Sequence, residues 1–174
     1  MFNSLCCVLP ATLLLALQVQ ESTNPAGETI SPERPFMFVH EMWSAPNRSD
    51  DNRVPGGEFF TPPPRAVGVT TNLQAPTNAG DHYVQRLRGW IEAPTTGAYR
   101  FMIASDDNSE LWFSTTGKPE DIRCVARVSG YTSPADFNRA PERTSPPITL
   151  IKGGRYYLEA RHREGTGEDH LAVG

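Results

Sequence analysis

Residues 87–113, LRGWIEAPTTGAYRFMIASDDNSELWF, carry the clearest secondary-structure pattern in the chain. Apolar side chains recur in it at every second position, as at Tyr99, Phe101 and Ile103. Such alternation sends one set of side chains to a core and the other to solvent, which is typical of β-strands. We expect these three residues to face inward from one continuous strand. The sequence PTTG at Pro94–Gly97 predicts a tight turn before it.

The same alternation continues toward the C terminus. In the last long strand Tyr156, Leu158 and Ala160 are expected to face the core, while the residues between them face water. His162 is expected at the surface, at the end of that strand. No stretch shows the periodicity of a three-turn helix. The sequence therefore predicts an all-β fold, an antiparallel β-sandwich or barrel. Its later strands are predicted over Leu111–Phe113, Ile122–Val128, Ile148–Ile151 and Tyr156–Arg161.

Composition excludes several classes of protein. The chain has 174 residues, which is room for one domain of ordinary size. It carries 16 Lys and Arg against 20 Asp and Glu, a net charge of -4, which argues against a nucleic-acid-binding protein. Its 16 Pro and 14 Gly favour turns and short strands. Three cysteines are too few for a disulfide-dense scaffold.

The N-terminal part is predicted to precede the folded domain. Residues 1–20 resemble a signal peptide, because the apolar run Leu5–Leu17 has the length of a signal-peptide core. The run is too short to span a membrane. A buried N-terminal strand or helix is the alternative. Residues 21–37 are polar with Pro and Gly and predict a linker, so the domain occupies residues 38–174. The chain stops within the strand-like run Leu171–Gly174, and we expect C-terminal strands to be missing. A secreted or cell-surface protein is expected, with no membrane span in this chain.

Two adjacent acidic residues carry the most specific chemistry. Asp106 and Asp107 lie where a predicted strand enters a turn, in ASDDNSELW at residues 104–112. Neighbouring side chains of an extended strand point to opposite faces, so both carboxylates reach one ion only where the backbone bends. A hard cation such as calcium takes about 6–8 oxygen ligands. A solvated acidic turn is the alternative, because Asp and Asn are common in turns.

A second acidic loop follows the last long strand, with the sequence EGTGEDH at Glu164–His170. Its glycines allow backbone conformations that turn carbonyl groups toward a ligand. If this loop neighbours the Asp pair in the fold, Asp169 can complete an ion site there.

Several motifs, in order along the chain, resemble the PA14 domain family. They are RLRGWI at residues 86–91, APTTGAYRF at 93–101, IASDDNSELWFS at 103–114, GRYYLEA at 154–160 and DHLAVG at 169–174. The resemblance covers roughly residues 38–174. It implies a β-barrel or sandwich of the kind found in secreted and surface proteins, among them adhesins, toxins, glycosidases and fibrocystin-like proteins.

The resemblance also implies a site. In lectin members of the family, a consecutive Asp pair joined by a cis peptide bond holds calcium, and the ion coordinates two sugar hydroxyls. Asp106 and Asp107 match that pair by position, and Asp169 with the carbonyl of Leu171 would supply further ligands. Calcium is the expected cofactor and a glycan or glycoprotein the expected partner. An aromatic platform often supports a sugar ring, and Trp112 is the candidate, with sheet packing as the alternative. Further aromatic candidates are Tyr131 and Phe137, in the long loop before Ile148.

The sequence thus predicts a secreted, calcium-assisted carbohydrate-binding or adhesion module that is not an enzyme. The alternative is a non-catalytic structural or protein-interaction module of a larger extracellular protein or glycoside hydrolase. Catalytic patterns are weak: Asp107 and Glu110 as a glycosidase pair lack an evident cleft between them. The four histidines lack the spacing H-E-x-x-H, and no serine lies in G-x-S-x-G.

Overall fold

The computed structural model describes residues 22–23, 29–30, 36–45 and 53–174. The chain divides between Arg34 and Pro35. Before the division, within the predicted linker, strand β1 (Ser22–Thr23) pairs antiparallel with β2 (Thr29–Ile30). The predicted signal peptide, residues 1–20, lies outside the described residues.

After the division the described chain is built from antiparallel strands, which confirms the all-β prediction. Its only helical segments in the described ranges are three 3-10 turns at Gly57–Phe60, Pro119–Asp121 and Pro141–Arg143. None of these described helices is long and apolar enough to cross a membrane. The strands are β3 (Phe38–Ser44), β4 (Ala66–Thr70), β5 (Tyr83–Glu92), β6 (Gly97–Tyr99), β7 (Ile103–Asp106), β8 (Asn108–Phe113), β9 (Arg123–Val128), β10 (Ile148–Leu150), β11 (Arg155–Glu164) and β12 (His170–Val173).

One sheet and two short ladders enclose the core. The sheet has six strands in the order β4-β3-β5-β11-β8-β9, and the ladders are β6 with β10 and β7 with β12. Ile103 and Leu171 of a ladder are buried in the same cluster as Leu87, Leu111 and Leu158 of the sheet. The core therefore lies between two antiparallel layers, as in a β-sandwich. Burying each such leucine stabilises the fold by about 1.5–3 kcal/mol.

Strand β11 is buried on both faces, so the prediction of a water-facing side was wrong. It pairs with β5 on one side and β8 on the other. Tyr157, Glu159 and Arg161 lie on its outer face and are 2%, 5% and 6% exposed. Glu159 accepts hydrogen bonds from the Tyr157 hydroxyl and the Arg161 guanidinium, both at 2.9 Å. The ring of Phe60 covers Arg161, whose guanidinium carbon lies 5.2 Å from the ring centroid. Mutual pairing lets this polar face be buried.

His162 is fully buried, which corrects the prediction of a surface residue. Its neighbours across the sheet are Gln85 in β5 and Ser109 in β8. The flanking strands extend past this position, so the C-terminal end of β11 is an interior part of the sheet. The alternation of side chains alone did not reveal those neighbours.

The predicted continuous strand through Phe101 is in fact two strands. Strand β6 ends at Tyr99 and β7 begins at Ile103. Between them the backbone N–H of Phe101 donates to the hydroxyl of Ser145 at 2.9 Å, so the ladder is interrupted. Strand β6 pairs with β10, whereas β7 pairs with β12. The change of partner breaks the strand, although Phe101 and Ile103 still face the core as predicted.

Candidate functional site

Asp106 and Asp107 lie in the tight connection between β7 and β8. Strand β7 ends at Asp106 and β8 begins at Asn108. The hydroxyl of the buried Ser105 donates to the carbonyl of Asp107 at 2.6 Å, which holds the connection closed. The peptide bond between the two aspartates is cis, as the family resemblance implies. One oxygen of each carboxylate, together with one of Glu164, lies within 4.8 Å of the others, so the side chains converge.

A buried chain of hydrogen bonds holds the backbone of Asp106. Nε2 of His162 donates to the Asp106 carbonyl at 2.7 Å, and Nδ1 of the same ring accepts from the Gln85 amide at 2.8 Å. The Gln85 amide oxygen accepts from Nε2 of His40 at 2.6 Å. Burial lowers the pKa of His162 to about 3, so its ring is neutral near neutral pH. A neutral imidazole donates from one nitrogen and accepts at the other, as these contacts require.

Glu164 is the residue that joins the Asp pair. It ends β11 and is 1% exposed. The pairing of Arg163 with Asn108 brings it beside Asp107, whose backbone N–H donates to Oε2 of Glu164 at 3.1 Å. Two oxygens on opposite sides of a calcium ion are about 4.6–5.2 Å apart, because each Ca–O distance is about 2.3–2.6 Å. The three carboxylate oxygens lie within 4.8 Å of one another, close enough for all three to contact one calcium ion.

Negative charge accumulates at this rim of the sandwich. Burial, and then the charge of Asp107, raises the pKa of Asp106. The same two causes raise the pKa of Glu164 to about 8, and Asp169 contributes to this shift. In the described part of the chain, Oε1 of Glu164 and Oδ1 of Asp169 are buried without a hydrogen-bond partner. Buried acceptors of this kind are usually satisfied by a water molecule or an ion.

Asp169 lies beside the site but outside the group of three converging oxygens. Strand β12 places His170 opposite Asp106, so the residue before it is adjacent to the pair. The carbonyl of Leu171, the other ligand that the resemblance implies, accepts the backbone N–H of Ala75 at 2.9 Å. The structure thus brings Asp169 near the pair and engages the Leu171 carbonyl in backbone pairing.

Trp112 lies away from the Asp pair. It lies five positions after Asp107 along an extended strand, a distance of about 16 Å. Its indole N–H donates to the Glu110 carboxylate at 3.0 Å, and the guanidinium carbon of Arg161 lies 4.6 Å from its ring centroid. Glu110, which the glycosidase alternative pairs with Asp107, therefore accepts a hydrogen bond from the Trp112 side chain. The structure therefore places both residues in a surface cluster of the large sheet.

Tyr131 is the exposed aromatic side chain that the fold holds beside the pair. The N–H of Gly130 donates to the side chain of Asn108 at 2.7 Å, and the N–H of Thr132 donates to the carbonyl of Ser105 at 2.8 Å. Ser105 and Asn108 flank the Asp pair in sequence. The residues on both sides of Tyr131 are therefore hydrogen-bonded to the residues on both sides of the Asp pair. The ring of Tyr131 is 76% exposed. It lines a depression of about 410 Å³ with polar groups that include Asp136, Glu142 and Arg143.

Sequence reasoning missed the position of Glu164. It singled out the loop that begins there and named Asp169 of that loop, but not Glu164, as a ligand. The available signal was an acidic residue at the C-terminal end of the last long strand, directly before the glycine-containing loop. Its meaning depended on knowing that β11 lies next to β8, which the sequence did not show.

The described residues define an antiparallel β-sandwich with converging carboxylates at one rim, a class of domain with a candidate cation site. The chain belongs to the PA14 domain family, whose model matches residues 39–173.

Two curated relatives match part of the chain. Over 98 residues it is 37% identical to the mouse N-acetyl-beta-glucosaminyl-glycoprotein 4-beta-N-acetylgalactosaminyltransferase 1, covering 53% of this chain and 10% of that protein. Over 80 residues it is 38% identical to human fibrocystin-L, covering 45% of this chain and 2% of that protein. The matches thus span 10% or less of the length of these relatives.

Solved structures share the fold at low sequence identity. The epithelial adhesin 9 A domain from Candida glabrata, in complex with Galβ1-3GlcNAc, has a TM-score of 0.57 at 14% identity and covers 83% of this chain and 84% of its own. The PA14 sugar-binding domain from an RTX adhesin has a TM-score of 0.56 at 16% identity and covers 80% and 89%. At such identities the likeness establishes the fold alone.

Proposed function

We propose that this chain is a secreted, calcium-assisted carbohydrate-binding module that serves adhesion and catalyses no reaction. The observation that carries the proposal is the convergence of Asp106 and Asp107 beside buried carboxylate oxygens that lack hydrogen-bond partners. The similar adhesin domains, one titled sugar-binding and one in complex with Galβ1-3GlcNAc, support a glycan or glycoprotein as the partner. The apolar run near the N terminus supports secretion.

The donor set fits calcium. Every candidate donor is an oxygen, which suits a hard cation that prefers carboxylates and carbonyls. The proposal assigns the ion to Asp106 and Asp107, with Asp169 as a further ligand through its unpartnered Oδ1. The Leu171 carbonyl, which accepts one hydrogen bond from the N–H of Ala75, has a second lone pair and stays the fourth proposed ligand. A bound calcium ion supplies open coordination positions for two neighbouring sugar hydroxyls.

We assign the sugar-stacking role to Tyr131 rather than to Trp112. The loop bonds on both sides of Tyr131 hold it beside the Asp pair, and most of its ring faces solvent. An aromatic face packs well against the apolar face of a sugar ring. The charged groups of the neighbouring depression, Asp136, Glu142 and Arg143, can hydrogen-bond hydroxyls further along a glycan.

The test uses the full chain stripped of metal with a chelator. Calorimetry with calcium should give saturable binding, and a glycan array should give signals that appear with calcium and disappear with excess chelator. Asp106→Asn should lose both the calcium heat and the array signal. The matched control is Glu120→Gln, an exposed acidic residue in the 3-10 turn Pro119–Asp121. Absence of calcium binding by the wild-type chain refutes the proposal.

The second candidate is a non-catalytic structural or protein-interaction module of a larger extracellular protein. One observation favours it: the matched region is 10% of the mouse transferase and 2% of human fibrocystin-L. Calcium binding without any array signal would support this candidate over a lectin. Calcium-independent hydrolysis of glycans by the purified chain would contradict both.

A further inference from the structure

Glu164 has features that the resemblance to lectin members does not assign. It lies at the end of the central strand β11 rather than in a variable loop, and it is 1% exposed. Oε2 accepts the backbone N–H of Asp107, but the buried Oε1 has no hydrogen-bond partner in the described part of the chain. Leaving such an acceptor unsatisfied is energetically costly, so a water molecule or an ion usually occupies the position beside it.

The chain directly after Glu164 lies close to the Asp107 carboxylate. Gly165 donates its N–H to Oδ2 of Asp107 at 3.0 Å. A Cβ at position 165 would lie 3.0 Å from that same oxygen, so glycine allows the chain to come close to the carboxylate. Strand β11 and the connection between β7 and β8 are thus joined on both sides of Asp107. The third oxygen of the converging group comes from this junction.

We propose that Glu164 is itself a ligand of the calcium ion, which makes the ion a structural link between β11 and the connection between β7 and β8. This inference rests on the proposed calcium site and adds a third carboxylate to Asp106 and Asp107. An ion that binds the folded chain and not the unfolded chain stabilises the fold by mass action. Calcium should therefore stabilise the fold of this domain as well as assist glycan binding.

Ligand charge and number set calcium affinity, so the loss of one carboxylate has a measurable effect. Glu164→Gln should weaken calcium binding by about tenfold or more. The rise in Tm on adding calcium should then be smaller than in the wild type, because the stabilisation by a ligand depends on its affinity. Without calcium the same variant should be at least as stable as the wild type, because Gln has nearly the same shape and keeps an acceptor for the Asp107 N–H. A residue with only a packing role would lower Tm equally with and without calcium.

The experiment compares the full chain, Glu164→Gln and Glu164→Asp by calorimetry with calcium chloride and by thermal unfolding in calcium or in chelator. Glu164→Asp keeps the charge but shortens the reach, so it should also bind calcium more weakly while keeping the wild-type circular dichroism spectrum. The control is Glu120→Gln, the exposed acidic residue of the 3-10 turn Pro119–Asp121, which should behave nearly as the wild type.

The outcomes separate this inference from the proposed function. Weak binding by both Glu164 variants, with normal binding by the control, supports the assignment. Wild-type affinity in Glu164→Gln together with lost binding in Asp106→Asn overturns the role of Glu164 and leaves the calcium site standing. A wild-type chain that binds no calcium overturns both.

Discussion

The buried ring of His162 donates its Nε2 proton to the backbone carbonyl of Asp106 at 2.7 Å. This bond fixes the first residue of the Asp pair to the centre of the large sheet. Gln85 in turn fixes the ring by donating to its other nitrogen at 2.8 Å. The position of the candidate cation site is therefore set by the interior of the fold and not by its loops alone.

His162→Leu should destabilise the domain by about 2–4 kcal/mol, because it leaves the Asp106 carbonyl and the Gln85 amide buried without partners. His162→Gln should cost less, since an amide can still donate to the carbonyl. Urea unfolding followed by tryptophan fluorescence measures both values. Equal costs for the two variants would show that packing, and not the hydrogen bond, determines the effect.

Tyr131→Ala should weaken glycan binding by about three- to tenfold, the equivalent of one aromatic stacking contact. Calcium affinity should not change, because no ligand oxygen is removed. Glycan titration in saturating calcium measures the first effect, and calorimetry with calcium alone measures the second. Trp112→Ala is the comparison that decides between the two aromatic residues, since a larger loss there would return the platform to Trp112.

The acid stability of the domain should depend on Glu41. Burial raises the pKa of Glu41, but hydrogen bonds and charges from Arg88 and Arg86 outweigh it, so the pKa lies below its ordinary value of 4.5. A lowered pKa in the folded state adds stability above the pKa of the unfolded chain. That stability is lost as the pH falls below about 4.5 and the carboxylate becomes protonated.

Glu41→Gln removes this contribution. It should lower the free energy of unfolding near neutral pH by about 1–3 kcal/mol and make the loss of stability in acid less steep. Urea unfolding over a series of pH values provides the measurement. A variant whose stability falls with acid as steeply as that of the wild type would rule out this role for the carboxylate.

The strands could be predicted where one face alone is buried. Leu111 and Phe113 alternate with outward residues in β8, and burial of both confirms the pattern. The prediction was wrong where contacts come from distant parts of the chain. Phe60 covers the outer face of β11 from about a hundred residues away, and Ser145 interrupts the ladder at Phe101.

The candidate site could likewise be predicted only where its residues are neighbours in the sequence. Asp106 and Asp107 are adjacent in sequence, so their pattern was visible without a structure. Glu164 is distant in sequence, and it reaches the pair only because β11 lies beside β8 with Arg163 opposite Asn108. Alternation predicts which face a side chain occupies, but it does not predict which strands become neighbours.

A crystal structure of the full chain grown with calcium would show whether Asp106 and Asp107 share one ion. We expect a bound ion at the rim of the sandwich, within about 2.3–2.6 Å of oxygens from both Asp106 and Asp107. Anomalous scattering from a lanthanide soaked into the same crystals would identify the peak independently. A fully hydrated Asp pair at saturating calcium, with no ion bound between the two carboxylates, would contradict the account.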